Sequence, residues 1–385
     1  MIYLFEDNTL LSPLSTTRLL PTLRIGIYSL AEYIALKLHK NITVLSNRKA
    51  VMDASSIHCT DSCTTKEGVF INARVLPTEK NMKRLLELLN TTESVWHKDI
   101  LIACKTGFKG KYSYEKLKEA AETNTEKNEW EGSHIQYPWE IVKYTKELLP
   151  EHIQLKLDTE KYESIQDNVY TGENVSIHPS AIFDTSKGPI LLEKGVEIKA
   201  LSVLKGPLFL GQSTTVNEHA LLEHSSISHH CKVGGEIKES IMYEYSNKQH
   251  YGSLLHSAVG SWVNIGAGAT NSDLKNTYGT IRIMYNGKKI DTGEILLGSI
   301  IGDFSKIAIN TSLFTGKIIG VNTHVFGNVL ENVDDFLMYY KGIGGENMKC
   351  TLESAITTQE RMFKRRGIQQ KEEDRKLLIS ICNAA

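Results

Sequence analysis

Pro207-Leu-Phe-Leu-Gly-Gln-Ser-Thr-Thr-Val-Asn-Glu-His-Ala-Leu-Leu-Glu-His-Ser-Ser-Ile-Ser-His-His-Cys-Lys-Val233 decides the fold of the second half of the chain. An apolar or β-branched pulse returns in it about every six residues, at Leu208 to Leu210, Val216, Leu221-Leu222, Ile227 and Val233. The same pulse appears upstream at Val175, Ala181, Ile190 to Leu192, Val196 and Val203, and downstream at Ile241, Val259, Val263, Ile301, Ile307, Ile319 and Val325. A hexapeptide period implies a parallel β-helix, in which each pulse is one short strand on the face of a coil. One inward aliphatic side chain per strand fills a narrow interior, while glycine and asparagine take the tight corners that demand positive φ. The competing arrangement is an antiparallel β-sandwich, whose strands need hairpin turns at roughly 8- to 12-residue spacing.

The period breaks between Met242 and Ala258 and between Asn271 and Leu296, and both breaks read as loops leaving one face of the coil, where binding groups are carried. After Phe326 the period fades, and Leu352 to Ala385 is charged with helical spacing. Its run Arg361-Met-Phe-Lys-Arg-Arg366 reads as a phosphate contact or as a solvated helix face. Upstream, residues 1 to about 165 alternate strand-like and helical patterns, an α/β layer architecture. Ile2–Phe5, Ile42–Leu45, Gly68–Ile71 and Asp99–Cys104 read as strands. The later part of Arg24–Leu38, Asn81–Leu89, Tyr114–Glu126 and Pro138–Leu149 read as helices, the last with proline at its first turn. The division expected is an α/β domain over 1–168, a β-helix over 169–335 and a partly helical C-terminal extension over 336–385.

At 385 residues the chain is long for one domain. With 41% hydrophobic and 23% charged residues it holds ordinary globular material, which excludes global disorder. Lys plus Arg total 44 against 45 Asp plus Glu, so no bulk attraction to nucleic acid or to an acidic membrane is implied. The start Met-Ile-Tyr-Leu-Phe-Glu-Asp lacks a basic region and a long apolar run, and the expected location is cytoplasmic. Six cysteines are scattered, and only Cys59 and Cys63 are close, so free thiols are expected rather than a zinc pair or disulfides.

The densest chemistry lies in Tyr245-Ser-Asn-Lys-Gln-His250-Tyr-Gly-Ser-Leu-Leu-His256, followed by Val263-Asn-Ile-Gly-Ala-Gly268. A histidine on a solenoid loop can serve as a general base toward an amine or hydroxyl, because its ordinary pKa lies near the working pH. His219, His224, His229 and His230 form a second group at short steps. Three histidines on the coils of a β-helix could bind zinc, as in gamma-class carbonic anhydrases, and exposed corner histidines are the alternative reading.

Cys231-Lys-Val-Gly-Gly-Glu236, Tyr245-Ser-Asn-Lys-Gln-His250, Trp262-Val-Asn264 and Asn271-Ser-Asp-Leu-Lys-Asn276 resemble the bifunctional N-acetylglucosamine-1-phosphate uridylyltransferase/glucosamine-1-phosphate N-acetyltransferases. The resemblance is closest to an alternate, mainly Bacteroidetes-type branch, and it covers most of residues 1 to about 330. It implies a left-handed β-helix that trimerises, with sites between neighbouring subunits. It implies His250 as the base that deprotonates a sugar amine attacking acetyl-CoA, Lys238 on the sugar phosphate, and Asn276 and Tyr278 on the sugar and acetyl group. Two family positions depart: Thr215-Val-Asn-Glu-His219 holds no basic residue, and Ser253 stands for a tyrosine. The partners implied are an amino-sugar phosphate, acetyl-CoA and UTP.

The first half resembles a sugar-nucleotide pyrophosphorylase domain, but Phe5-Glu-Asp-Asn-Thr-Leu-Leu-Ser-Pro-Leu-Ser-Thr-Thr-Arg18 lacks the glycines of its phosphate loop. In Phe70-Ile-Asn-Ala-Arg-Val-Leu-Pro77, Arg74 stands where such enzymes place an aspartate that holds Mg²⁺. An arginine cannot ligate that ion, which demands oxygen ligands. Arg18, Arg24 and Arg74 are candidate phosphate contacts, and Glu6 and Asp7 candidate Mg²⁺ ligands or salt-bridge partners. Two function classes follow: a sugar-nucleotide enzyme that transfers acetyl and nucleotidyl groups, or a non-catalytic sugar-nucleotide-binding or assembly subunit.

Overall fold

Ile2–Phe5 (β1) is buried along its whole length, as expected of a strand flanked on both sides and covered on both faces. The computed structural model describes residues 1–39, 41–91, 94–123 and 126–384. These divide into two compact units: residues 1–11, 15–137 and 371–380 form the first, and residues 12–14, 138–370 and 381–385 the second.

The first unit is built on a seven-stranded sheet of Ile2–Phe5 (β1), Ile42–Leu45 (β2), Cys59–Thr60 (β3), Ser62–Asn72 (β4), Ser94–His97 (β5), Ile100–Lys111 (β6) and Lys127–Glu129 (β7). Their order is β3-β2-β1-β4-β6-β5-β7. β1 is parallel to both β2 and β4, whereas β4 and β6 are antiparallel. The order reverses between β1 and β4, and the crevice beyond their carboxyl ends is where open α/β sheets bind ligands. Helix α1 (Leu30–Leu38) starts at a capping box: Ser29 Oγ accepts from the Glu32 backbone at 3.2 Å, and Glu32 accepts from the Ser29 backbone at 2.8 Å. Helix α2 (Glu79–Thr91) buries Met82, Leu85, Leu88 and Leu89. Helix α3 (Tyr114–Glu122) ends before the expected Glu126, and residues 124 and 125 lie outside the described residues.

In the second unit the expected coil is present. Parallel strands stack into walls of nine, ten and five strands, with antiparallel additions only at the ends of the first two. Inward side chains form columns: on the ten-stranded wall Ile177, Ile198, Val216 and Val233 align in register, and further along Ile265, Ile307 and Val325 do the same. These belong to one continuous apolar core. Helix α4 (Glu140–Thr159) belongs to this unit. It runs past the expected stop at Leu149 and through Pro150, because Leu148, Leu149, Ile153 and Leu155 are all buried along it. Helix α5 (Leu352–Lys364) buries Phe363, whose ring lies 4.5 Å from that of Trp262. Arg366 donates to Asn247 Oδ1 at 2.8 Å, so this end of the basic run docks on the coil.

Three sequence expectations need correction. The segment Met242 to Ala258 does not leave the coil, because Asn247–Lys248, Ser253–Leu255 and Ala258–Val259 are wall strands in register with the preceding rung. The period is masked there because Lys248 takes an inward position beside Val233. The segment from Asn271 to Leu296 does leave the coil and carries the antiparallel hairpin Arg282–Tyr285 and Lys288–Asp291. The positive-φ corners are also not reserved for glycine and asparagine. His230, Tyr245 and Trp262 occupy one column of corners at φ 57°, 61° and 60°. Their rings stack, with centroids at 4.9 Å and 4.3 Å, which offsets the left-handed cost of about 1–2 kcal/mol per residue. Strands also continue past Phe326, to Leu337–Tyr339.

Candidate functional site

The five-stranded wall of the coil consists of Ile182–Asp184, Val203–Lys205, Leu221–Glu223, Glu236–Lys238 and Ser253–Leu255. The middle residue of each of its last three strands (Leu222, Ile237, Leu254) points inward and is buried, so the first and last residues line the outer face. His250 lies at the corner that leads into Ser253–Leu255 and is exposed. Among the described residues its ring makes no hydrogen bond. Its backbone is fixed from inside the coil: the fully buried Lys248 donates from Nζ to the His250 carbonyl at 2.6 Å and to the Tyr251 carbonyl at 3.2 Å. Burial pushes the Lys248 ammonium down to about 8.

Lys238 stands at the other edge of the same wall. It ends its strand, pairs in register with Leu255, and its side chain is 38% exposed. One three-residue strand, about 10 Å, separates the two edges. The Lys238 ammonium is not isolated. Lys187, Lys205 and Lys238 lie 3.7, 3.9 and 3.9 Å from the carboxylate of Glu223. The three ammonium groups converge on one carboxylate, with Asp184 and Asp273 also within their electrostatic reach, and as flexible side chains they can turn to a phosphate. Lys187 and Lys205 have no sequence signature, because the register of the wall, not local spacing, brings them together.

Beyond this edge a column of corner residues rises through the rungs: His224, Glu239 and His256, all at positive φ. His256 is buried between two carboxylates, with Nδ1 2.7 Å from Asp273 Oδ2 and Nε2 3.0 Å from Glu239 Oε2. Lys146 of α4 adds an ion pair to Glu239 at 2.8 Å. Burial alone would lower the His256 pKa, but hydrogen bonds to Asp273 and Glu239 and their charges raise it to about 9. Burial likewise opposes ionisation of Glu239, yet His256 and Lys146 hold its carboxyl at about 2. The network borders a cavity of about 580 Å³ lined by Trp139, Val142, Lys146, Glu239, His256 and Leu297, among others.

The sign of the resulting pH dependence follows directly. The His256 contribution to stability is fully present below its ordinary value of 6.5 and is lost as pH rises through about 9. The Glu239 contribution is present above its ordinary 4.5 and is lost as pH falls through about 2. Denaturant unfolding should therefore show stability falling between pH 6.5 and about 9 by on the order of 3 kcal/mol, and His256→Asn should flatten that limb. An unchanged alkaline limb in the variant would remove the network from the account.

The remaining sequence candidates are dispersed. Asn276 and Tyr278 are exposed on the segment that precedes the hairpin, Tyr278 at 73%. His224 and His229 do not assemble with His219 into a metal centre: no group of three or more His, Cys, Asp or Glu suited to a metal ion occurs among the described residues. Instead the rings of His229 and His230 lie against Tyr245. All six cysteines are free thiols.

In the first unit, Arg24 pairs at the surface with Glu32 at 2.8 Å. Arg74 is buried and forks onto Asp7, while its Nη1 donates to the Ile135 carbonyl at 3.0 Å. Arg48, which nothing in the sequence marked, pairs with Glu6 and donates to the carbonyls of Ser15 and Arg18, each at 2.7 Å. Glu6 and Asp7 are thus salt-bridge partners of arginine, and the set does not fit Mg²⁺. No helix among the described residues is long and apolar enough to cross a membrane.

Residues 2–159 match the family model of sugar nucleotidyl transferases. A bifunctional sugar-1-phosphate nucleotidylyltransferase/acetyltransferase of Sulfurisphaera tokodaii is 25% identical over 151 residues, covering 38% of this chain and 38% of that protein. The bifunctional protein GlmU of Thermotoga petrophila is 29% identical over 184 residues, covering 47% of this chain and 36% of that protein. The chain thus spans well under half the length of these relatives. A solved structure of a mutant of AntD, an N-acyltransferase from Bacillus cereus, in complex with dTDP and coenzyme A, shares 15% identity at a TM-score of 0.22, covering 54% of this chain and 100% of that one.

Proposed function

We propose that the chain supplies an activated amino sugar, with the coil transferring an acetyl group from acetyl-CoA to the amine of a glucosamine-1-phosphate-type substrate. The observation that carries this reading is the shared wall: an exposed imidazole, His250, at one edge and a lysine cluster around Lys238 at the other. The amine nitrogen attacks the thioester carbon, its proton passes to the His250 imidazole, and the coenzyme A thiolate leaves. His256 is unsuited to that task, because two carboxylates keep it protonated at neutral pH. Lys238, with Lys205 and Lys187, holds the phosphate as a set of flexible point charges. Asn276 and Tyr278 are proposed for the sugar and acetyl contacts.

In the same reading the segment 1–168 handles the nucleotide, UTP or the UDP-sugar made from it, and 169–335 carries acetyl transfer, with 336–385 as an extension. The name of the Sulfurisphaera tokodaii relative, joining nucleotidylyl and acetyl transfer, supports this pairing. A cytoplasmic trimer and membership of the Bacteroidetes-type branch complete the proposal. A second reading, a non-catalytic nucleotide-sugar-binding subunit, is favoured by the arginine-locked Glu6 and Asp7.

The deciding experiment measures thiol release from acetyl-CoA with glucosamine-1-phosphate as acceptor; no product from the intact chain sinks the enzymatic reading. Lys238→Gln should raise KM for the sugar phosphate about tenfold while leaving kcat within a few-fold, because it removes binding made equally in ground and transition states. A variant that loses kcat instead would take Lys238 off the phosphate.

A further inference from the structure

Glu6 and Asp7 follow β1 directly, and Arg74 follows β4, so all three stand at the crevice where the strand order of the first unit reverses. An ionised carboxylate offers about four lone-pair sites. Asp7 accepts from the Thr9 backbone N–H at 2.9 Å on Oδ1, and from Asn72 Nδ2 at 3.0 Å, Arg74 Nε at 2.8 Å and Arg74 Nη2 all on Oδ2. Glu6 fills its own with the Leu20 backbone N–H at 2.7 Å, the Ser46 hydroxyl, Arg48 Nε at 3.1 Å and Arg48 Nη2. A Mg²⁺-type ion demands several free oxygens in near-octahedral array, whereas Glu6 has none left and Asp7 keeps a single lone pair, on Oδ1. Two guanidinium groups against two carboxylates also give the same net charge as one divalent ion against two carboxylates, so the electrostatic role of the ion is already filled.

Beside the Asp7–Arg74 pair opens a pocket of about 360 Å³, lined among others by Asn8, Arg74, Asp99, Tyr114, Gln136 and Tyr137. The volume falls at the lower end of the roughly 300–1,000 Å³ usual for small-molecule sites. Amide and carboxylate groups there meet the hydroxyls of a sugar or ribose, and two phenol rings offer flat apolar faces. We infer that this crevice takes a nucleoside or glycosyl phosphate without any divalent cation, Arg74 standing permanently at the carboxylate where an ion would bind. This rests on the reading of the first unit as the nucleotide-handling part.

The test is calorimetric titration of the intact chain with UDP-N-acetylglucosamine and, separately, with N-acetylglucosamine-1-phosphate, each in EDTA and in Mg²⁺. The two arms distinguish a nucleoside-led from a glycosyl-led contact. The expected result is binding of at least one probe with a dissociation constant equal within about twofold in the two buffers, weakened at least about tenfold by Tyr137→Ala. Tyr137 lines the pocket and is a member of neither ion pair, so this variant leaves the buried charges in place. Binding about tenfold or more tighter in Mg²⁺ overturns the inference and leaves the nucleotide reading standing. Binding indifferent to Tyr137→Ala places the ligand elsewhere and also overturns it. Absence of binding in both buffers overturns the nucleotide reading itself, and the inference with it.

Discussion

His250→Ala is expected to slow acetyl transfer by about 10²- to 10⁴-fold, the usual contribution of a positioned general base, while leaving the fold intact. The side chain is exposed and makes no hydrogen bond among the described residues, so its removal should shift stability by no more than about 0.5 kcal/mol. That separation makes the measurement clean: kcat falls while the unfolding curve stays put. Added imidazole should restore part of the rate. A variant that retains more than about a fifth of the wild-type rate would take the base away from this corner.

Asp7→Ala should destabilise the first unit by about 3–5 kcal/mol, because it leaves the Arg74 guanidinium buried without its counter-ion. Side-chain exposures of 4% and 3% leave this pair nearly buried at the pocket wall, where water replaces the lost carboxylate poorly. The double substitution Asp7→Leu with Arg74→Met, which removes both charges together, should be far milder than the single one. Denaturant unfolding of the intact chain reads both effects. A loss below about 1 kcal/mol in Asp7→Ala would mean that water reaches the guanidinium and that the pair is not a structural lock.

Much of the coil was readable because its period is a direct consequence of one inward aliphatic residue per strand. It was misread where an inward position is held by an ammonium, as at Lys248, since hydropathy cannot tell an inward lysine from an outward one. The stacked corners were missed for a related reason: positive φ suggests glycine, but ring stacking between rungs depends on residues 15 to 17 positions apart, as with His230, Tyr245 and Trp262. Helix α4 extends beyond the Leu149 end read from its sequence, because the burial of Ile153 and Leu155 carries it through Pro150. At the site, His250 and Lys238 were accessible through a motif. The convergence of Lys187 and Lys205 on Glu223, and of Arg48 on Glu6, was not, because strand register and long-range packing create it.

Lys248 also bears on what a misaligned stack would keep. Successive rungs are so alike that a newly formed strand could settle one storey too high or too low at small loss, the general hazard of repetitive architectures. The ammonium is indifferent to such a slip. Its acceptors, the carbonyls of His250 and Tyr251, lie two and three residues further along the same rung and would travel with it, and its neighbour on the column, Val233, is aliphatic already. The storey that bears His250 therefore brings its own fastening, and the corner that presents the imidazole is shaped within one rung.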